Sequence, residues 1–219
     1  MESEEILNDT LIAKNRLEAL VDGVFAFAMT LLMVSLSVPS IPKTEAATEL
    51  PAYIGSMFPQ FLSFLIAFFI LASFWIVHHE HFHFLRSVDK VVLWLNILIL
   101  IFVVLVPFST NLSGTYSHVP VAPLIFHANM LALSCLFLIH WQYIIRRPAL
   151  LNGPIHPDRI LDAVMDRVPI IIAALVGMAI VLSGESFSSM YTYLIFPLLI
   201  RIVMWYIRSR RAAKRVAPD

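Results

Sequence analysis

The sequence predicts an all-α membrane protein with six transmembrane helices and both termini in the cytoplasm. Of its 219 residues, 59% are hydrophobic and only 14% are charged, whereas soluble domains average about 45–50% and about 25%. Stretches without Asp, Glu, Lys or Arg cover residues 23–42, 50–79, 91–145, 168–184 and 186–200. A spanning helix needs about 20 apolar residues, so most of the chain is expected in lipid. This composition excludes a nucleic-acid partner, and the single cysteine excludes a disulfide scaffold.

The breaks between these stretches divide one domain, residues 1–219, into six helices. The acidic first ten residues lack the basic start and cleavage site of a signal peptide, so the first apolar stretch is expected to stay attached as helix one. The long stretch 91–145 is divided by Pro107, the polar segment STNLSGTYSH and Pro120. The predicted helices cover about 16–38, 53–79, 90–110, 121–146, 168–184 and 189–208.

The orientation follows from the basic residues. All 15 Lys and Arg residues except Lys43 lie at helix ends on one side of the predicted bundle, Arg167 among them. Loops rich in Lys and Arg stay in the cytoplasm. Both termini are therefore expected there.

A few polar residues lie inside the predicted spans, where they are energetically costly and are functional candidates. Asp22, in the inner half of helix one, needs a partner, whereas Arg201 can extend its side chain to the cytoplasmic surface. The other candidates are Arg16, Thr30, Ser35, Asn96, His127, Asn129, His140 and Gln142.

Helix one carries a motif of a known family. Arg16 is followed by Asp22-Gly and the run Val-Phe-Ala-Phe-Ala-Met-Thr-Leu-Leu, which resembles the signature of the transmembrane protein 175 family of potassium channels. Leu20 and Val21 stand where that signature usually has Phe and Ser. Two other segments also resemble the family: Trp75-Ile-Val-His78-His79 with Phe82, and Leu95-Asn96 with Pro107-Phe108.

This resemblance implies a potassium-selective channel of a non-classical kind. Six-helix units of this family assemble as a homotetramer in the lipid bilayer, with helix one lining a central pore, and no cofactor is expected. The chain has no TVGYG filter loop and no regular arginines of a voltage sensor. The cell membrane of a prokaryote is the expected location.

The resemblance also assigns residues. By position, a pore stripe would comprise Phe27, Thr30, Leu31 and Val34, which share one helical face. It would form a hydrophobic constriction that excludes water, with the Thr30 hydroxyl replacing part of the hydration shell of the ion. Without the resemblance, the apolar run would favour plain lipid-facing or core packing for these residues. A structural cluster that fixes helix one to its neighbours would comprise Arg16, Asp22, Trp75, His78, His79 and Asn96.

Two other functions fit parts of the sequence. His79-Glu80-His-Phe-His83 matches the zinc motif H-E-x-x-H, with Glu80 as general base of an intramembrane metalloprotease. No clear third ligand follows, although Asp158, Asp162 and Asp166 are candidates, and the histidines alone favour incidental zinc binding at the surface. A small secondary transporter is the other alternative, but repeats and broken helices are not evident. Because the channel explains more of the motifs, the protein is not expected to be an enzyme.

Overall fold

The structure is a computed structural model that describes the backbone of residues 2–34, 36, 38–156, 160, 164–165 and 167–216, and the side chains of those from 14 to 203 and of 206. These residues form seven α-helices and, apart from one isolated bridge between Leu85 and Leu151, no β-structure. The all-α prediction is therefore confirmed. The helices are α1 (Glu2–Val34), α2 (Ala46–Ser56), α3 (Phe58–Phe84), α4 (Lys90–Thr115), α5 (Val121–Ile145), α6 (Val168–Leu182) and α7 (Thr192–Val216).

Helix α4 lies at the centre of the bundle and packs against α1, α3 and α5, while α6 packs against α5 and α7. Within the described part of the chain, four segments are long and apolar enough to cross a membrane: Lys14–Val34, Phe58–Phe84, Lys90–Thr115 and Val121–Ile145. Two shorter apolar segments, Val168–Leu182 and Ser188–Val203, follow. Most buried side chains of α1 and α3 to α6 form one apolar core, and a second, smaller cluster comprises Leu17, Phe82, Leu85, Val92 and Ile144.

The second predicted helix differs from the structure at both ends. The segment before Met57 is a separate short helix, α2, none of whose residues is buried. Helix α3 begins at Phe58 rather than near residue 53, because Pro59 suits the first turn of a new helix. It also continues to Phe84 instead of ending near His79, because His81 and Phe82 in this polar stretch are buried against the bundle.

Helix α4 also runs further than predicted. It contains Pro107 and continues through the polar segment to Thr115. Two hydroxyl groups of this last part are buried against the bundle: Ser109 accepts a hydrogen bond from Asn129 Nδ2 at 3.1 Å, and Ser113 contacts the Met190 sulfur at 3.7 Å. Partners on α5 and in the turn before α7 thus make these hydroxyls compatible with a helix in the bundle.

The opposite end of α4 is fixed by a capping residue. Asp89 precedes the helix, and its Oδ1 accepts a hydrogen bond from the Val92 backbone N–H at 2.8 Å, which satisfies one of the free amide groups of the first turn. Its other oxygen accepts a hydrogen bond from the Tyr143 hydroxyl at 2.6 Å. The end of α5 is thereby held beside the start of α4.

Candidate permeation site

Helix α1 has one packed face and one exposed face. Leu17, Val21, Phe25, Ala28 and Leu32 are at most 5% exposed and recur every three or four residues, so they form one stripe of the helix. This stripe packs against α3 and α4. The opposite side of α1 has no partner within the described chain.

The residues of the predicted pore stripe lie mainly on this exposed side. Phe27 is 63% exposed and Val34 is 74% exposed, Thr30 is also exposed, and Leu31 is half-buried. The Thr30 hydroxyl donates a hydrogen bond to the Phe27 carbonyl oxygen at 2.8 Å. Its proton is thereby engaged with the helix, and the lone pairs of its oxygen remain available on the exposed side.

Four of the six residues of the structural cluster form two separate hydrogen-bonded pairs. Trp75 Nε1 on α3 donates to Asp22 Oδ1 on α1 at 2.8 Å. The buried His78 of α3 is hydrogen-bonded to Asn96 Oδ1 of α4 at 2.8 Å. The His78 ring also lies 6.3 Å from the ring of Phe25 on α1. These contacts join α1, α3 and α4 in one half of the bundle.

Two residues of that cluster stand apart. Arg16 is exposed and makes no hydrogen bond or ion pair with any described residue. His79 is exposed as well, with its ring 6.3 Å from the ring of Trp75. The structure therefore brings together four of the six residues, as two pairs.

A second buried polar cluster was not predicted. His81 on α3 and His140 on α5 are at most 1% exposed, and their Nδ1 atoms lie 3.4 Å apart. Arg167, also 1% exposed, places its guanidinium against the adjacent rings of Phe74 and Phe137, at 4.9 and 5.0 Å from their centroids.

Arg167 directly precedes α6, at a helix end as predicted, but the burial of its side chain was not expected from the sequence. Phe74 lies ten residues before the end of α3 and Phe137 eight residues before the end of α5, which corresponds to about 12–15 Å along the helices. The cation is stabilised there by two aromatic faces. The burial of His81 could have been predicted from its spacing, because His81 shares one face of α3 with Phe74 and His78.

The predicted candidate His127 belongs to a third buried group. Its Nδ1 is hydrogen-bonded to the Tyr193 hydroxyl at 2.8 Å and its Nε2 to the Ser189 hydroxyl at 2.9 Å. Gly177 on α6 lies directly against the ring: a Cβ at this position would be 2.3 Å from His127 Cε1. The absence of a side chain at Gly177 thus allows α6 to approach α5 closely.

The three residues of the zinc motif all lie on exposed positions of α3. His79, Glu80 and His83 are exposed, whereas His81 between them is buried. Within the described residues no group of three His, Cys, Asp or Glu side chains is placed to hold a metal ion. The candidate third ligands Asp158, Asp162 and Asp166 lie outside the described residues.

Comparison with known proteins shows which family the chain resembles. Residues 16–107 match the family described as endosomal/lysosomal potassium channel TMEM175. This segment contains the exposed stripe of α1 and both hydrogen-bonded pairs. Over this segment the chain is similar to the TMEM175 family. This confirms the resemblance found in helix one, and the family is one of ion channels and not of enzymes.

The individual relatives agree. The chain is 31% identical over 137 residues to a potassium channel of Streptomyces collinus, covering 60% of this chain and 64% of that protein. It is 34% identical over 131 residues to a potassium channel of Chamaesiphon minutus, covering 58% and 64%. The crystal structure of a lysosomal potassium-selective channel TMEM175 homolog from Chamaesiphon minutus matches with a TM-score of 0.71 and 26% identity, over 86% of this chain and 98% of that chain. The matches thus span somewhat less than two thirds of the curated relatives.

Proposed function

We propose that this protein is a potassium-selective channel subunit whose α1 lines the pore. The exposed stripe of α1, apolar except for one hydroxyl, carries the proposal. Five residues of the same helix are buried against α3 and α4, so the free side of α1 is available to other copies of the chain. The relatives that are named potassium channels match the segment that contains this helix.

In the proposed assembly, four copies bring their α1 helices together around a central axis. Phe27 and Val34 of the four copies then each form an apolar ring that narrows the pore, and ions pass only when these rings are hydrated. Thr30, between them along the helix, contributes an oxygen with free lone pairs to each permeating ion. A ring of such hydroxyl groups replaces part of the hydration shell, which is the general requirement for ion selectivity.

The proposed topology has six spans, with α2 lying outside the membrane. Helices α1, α3, α4 and α5 supply the first four spans, and α6 and the segment Ser188–Val203 supply the last two. Val168–Leu182 has 15 residues, about 22 Å of helix, so this span would need its flanking residues to cross a core of about 30 Å. The distribution of basic residues favours cytoplasmic termini, and the channel would lie in the cell membrane.

Potassium flux into liposomes that contain the purified protein tests the function. We expect potassium uptake down its gradient and, in planar bilayers, a reversal potential that favours potassium over sodium. Thr30→Val keeps the volume but deletes the hydroxyl, so it should shift the reversal potential towards that of sodium. Phe27→Ala should widen the constriction and increase flux.

The matched control is Met29→Ala. Met29 is half-buried and packs against the apolar core, so its truncation should affect stability through packing rather than permeation. Folded protein without any potassium flux would contradict the channel proposal. Unchanged permeation in both stripe variants would contradict the proposal that α1 lines the pore but would leave the channel function standing.

A further inference from the structure

The four histidines of α3 occupy two different faces of the helix. His78 and His81 are buried and face the bundle, whereas His79 and His83 are exposed. The helix is continuous through Phe84, so His79 and His83 lie four residues apart on an intact helix. Side chains at this spacing have their Cβ atoms about 5–6 Å apart. Two imidazoles can therefore approach one ion from the same side.

The surroundings leave both imidazoles available. Neither side chain forms a hydrogen bond or ion pair with another described residue. The helical turn itself is held in place, because Asn152 Nδ2 donates a hydrogen bond to the His83 carbonyl oxygen at 3.1 Å. The site thus combines free ligand atoms with a fixed backbone.

The ligand set defines the class of metal. Imidazole nitrogen favours zinc, copper and nickel, whereas magnesium, calcium and manganese prefer oxygen ligands. Within the part of the chain that the structure describes, no third side chain completes the set, so water fills the remaining positions. Such a site is open and exchanges its metal readily, unlike the closed four-ligand sites that stabilise a fold.

We propose that His79 and His83 form a surface site that chelates a divalent transition metal of the zinc, nickel and copper class. The site does not depend on the proposed channel function, since it uses an exposed face of α3 and no residue of the pore stripe. Because two imidazoles impose little geometry, the affinities should follow the general order for such ligands, with copper bound more tightly than nickel or zinc.

Equilibrium dialysis of the purified full chain against Ni²⁺, Zn²⁺ or Cu²⁺ tests this site, with a purification tag that contains no histidine. We expect one ion per chain by elemental analysis. His79→Gln and His83→Gln should each abolish this binding at the same metal concentration. His118→Gln, at an exposed histidine outside α3, should retain it, and unchanged gel-filtration profiles show that the variants are folded.

Three outcomes would overturn the proposal: no binding by the original protein, binding that survives both α3 substitutions, or binding that His118→Gln abolishes. A reversed order, with zinc bound more tightly than copper, would contradict the two-imidazole ligand set. Each outcome is independent of potassium flux, so it leaves the channel proposal unaffected.

Discussion

The close approach of Gly177 to His127 makes a quantitative prediction for Gly177→Ala. The added Cβ would lie 2.3, 2.7 and 2.8 Å from Cε1, Nδ1 and Nε2 of the ring, distances that force one of the groups to move. The ring is held by hydrogen bonds to Tyr193 and Ser189, so it cannot turn away without losing them. We expect a loss of about 1–3 kcal/mol from overpacking, with about 1 kcal/mol more for each hydrogen bond that breaks.

The assay is the thermal unfolding midpoint of the detergent-solubilised protein, followed by gel filtration after heating. Gly55→Ala is the matched control, because a Cβ there meets nothing within 4 Å and a helical Gly→Ala change is neutral or stabilising. In a His127→Ala background the space is vacant, so Gly177→Ala should cost little there. An equal loss in both backgrounds, or no loss in the original protein, would refute the steric explanation.

Three further predictions concern other parts of the bundle. Asp22→Ala should lower the folded yield in gel filtration, whereas Asp22→Asn should preserve it because the amide oxygen still accepts the Trp75 hydrogen bond; equal yields would show that this bond is unimportant. Arg167→Ala should lower the unfolding midpoint more than Arg167→Met, because Met refills part of the space beside the two rings; equal midpoints would indicate that charge rather than volume matters. Thiol labelling of single-cysteine variants should report positions 43 and 117, now Lys43 and Ser117, on the outside, and positions 87 and 212, now Ser87 and Ala212, on the inside. Labelling of either inside position from outside would contradict the six-span topology.

The sequence predicts most of the helical architecture because hydropathy and charge act locally. Helix α5 begins at Val121 and ends at Ile145, close to the predicted 121–146, because Pro120 and Arg146-Arg147-Pro148 mark its ends. The extension of α4 to Thr115 was not predictable in this way. It depends on partners for Ser109 and Ser113 that come from distant parts of the chain.

The polar residues show the same difference between what local sequence predicts and what depends on distant parts of the chain. Their positions within helices can be read from the sequence, but their pairing cannot. His78 and Asn96 were singled out separately, and only the packing of α3 on α4 joins them at 2.8 Å. The burial of Arg167 was not predictable, because charge alone suggests an exposed side chain, whereas its guanidinium contacts two phenylalanine rings from different helices.

The central claim, that the exposed face of α1 lines a water-filled path, is tested most directly by thiol modification. Cys135 is the single native cysteine, so the variants are made in a Cys135→Ser background. We predict that a charged thiol reagent blocks potassium flux through Thr30→Cys and leaves Ala28→Cys, on the buried face, unaffected. A thiol at position 30 that faces lipid would not meet the charged reagent, so unmodified protein with unchanged flux for Thr30→Cys would contradict the claim.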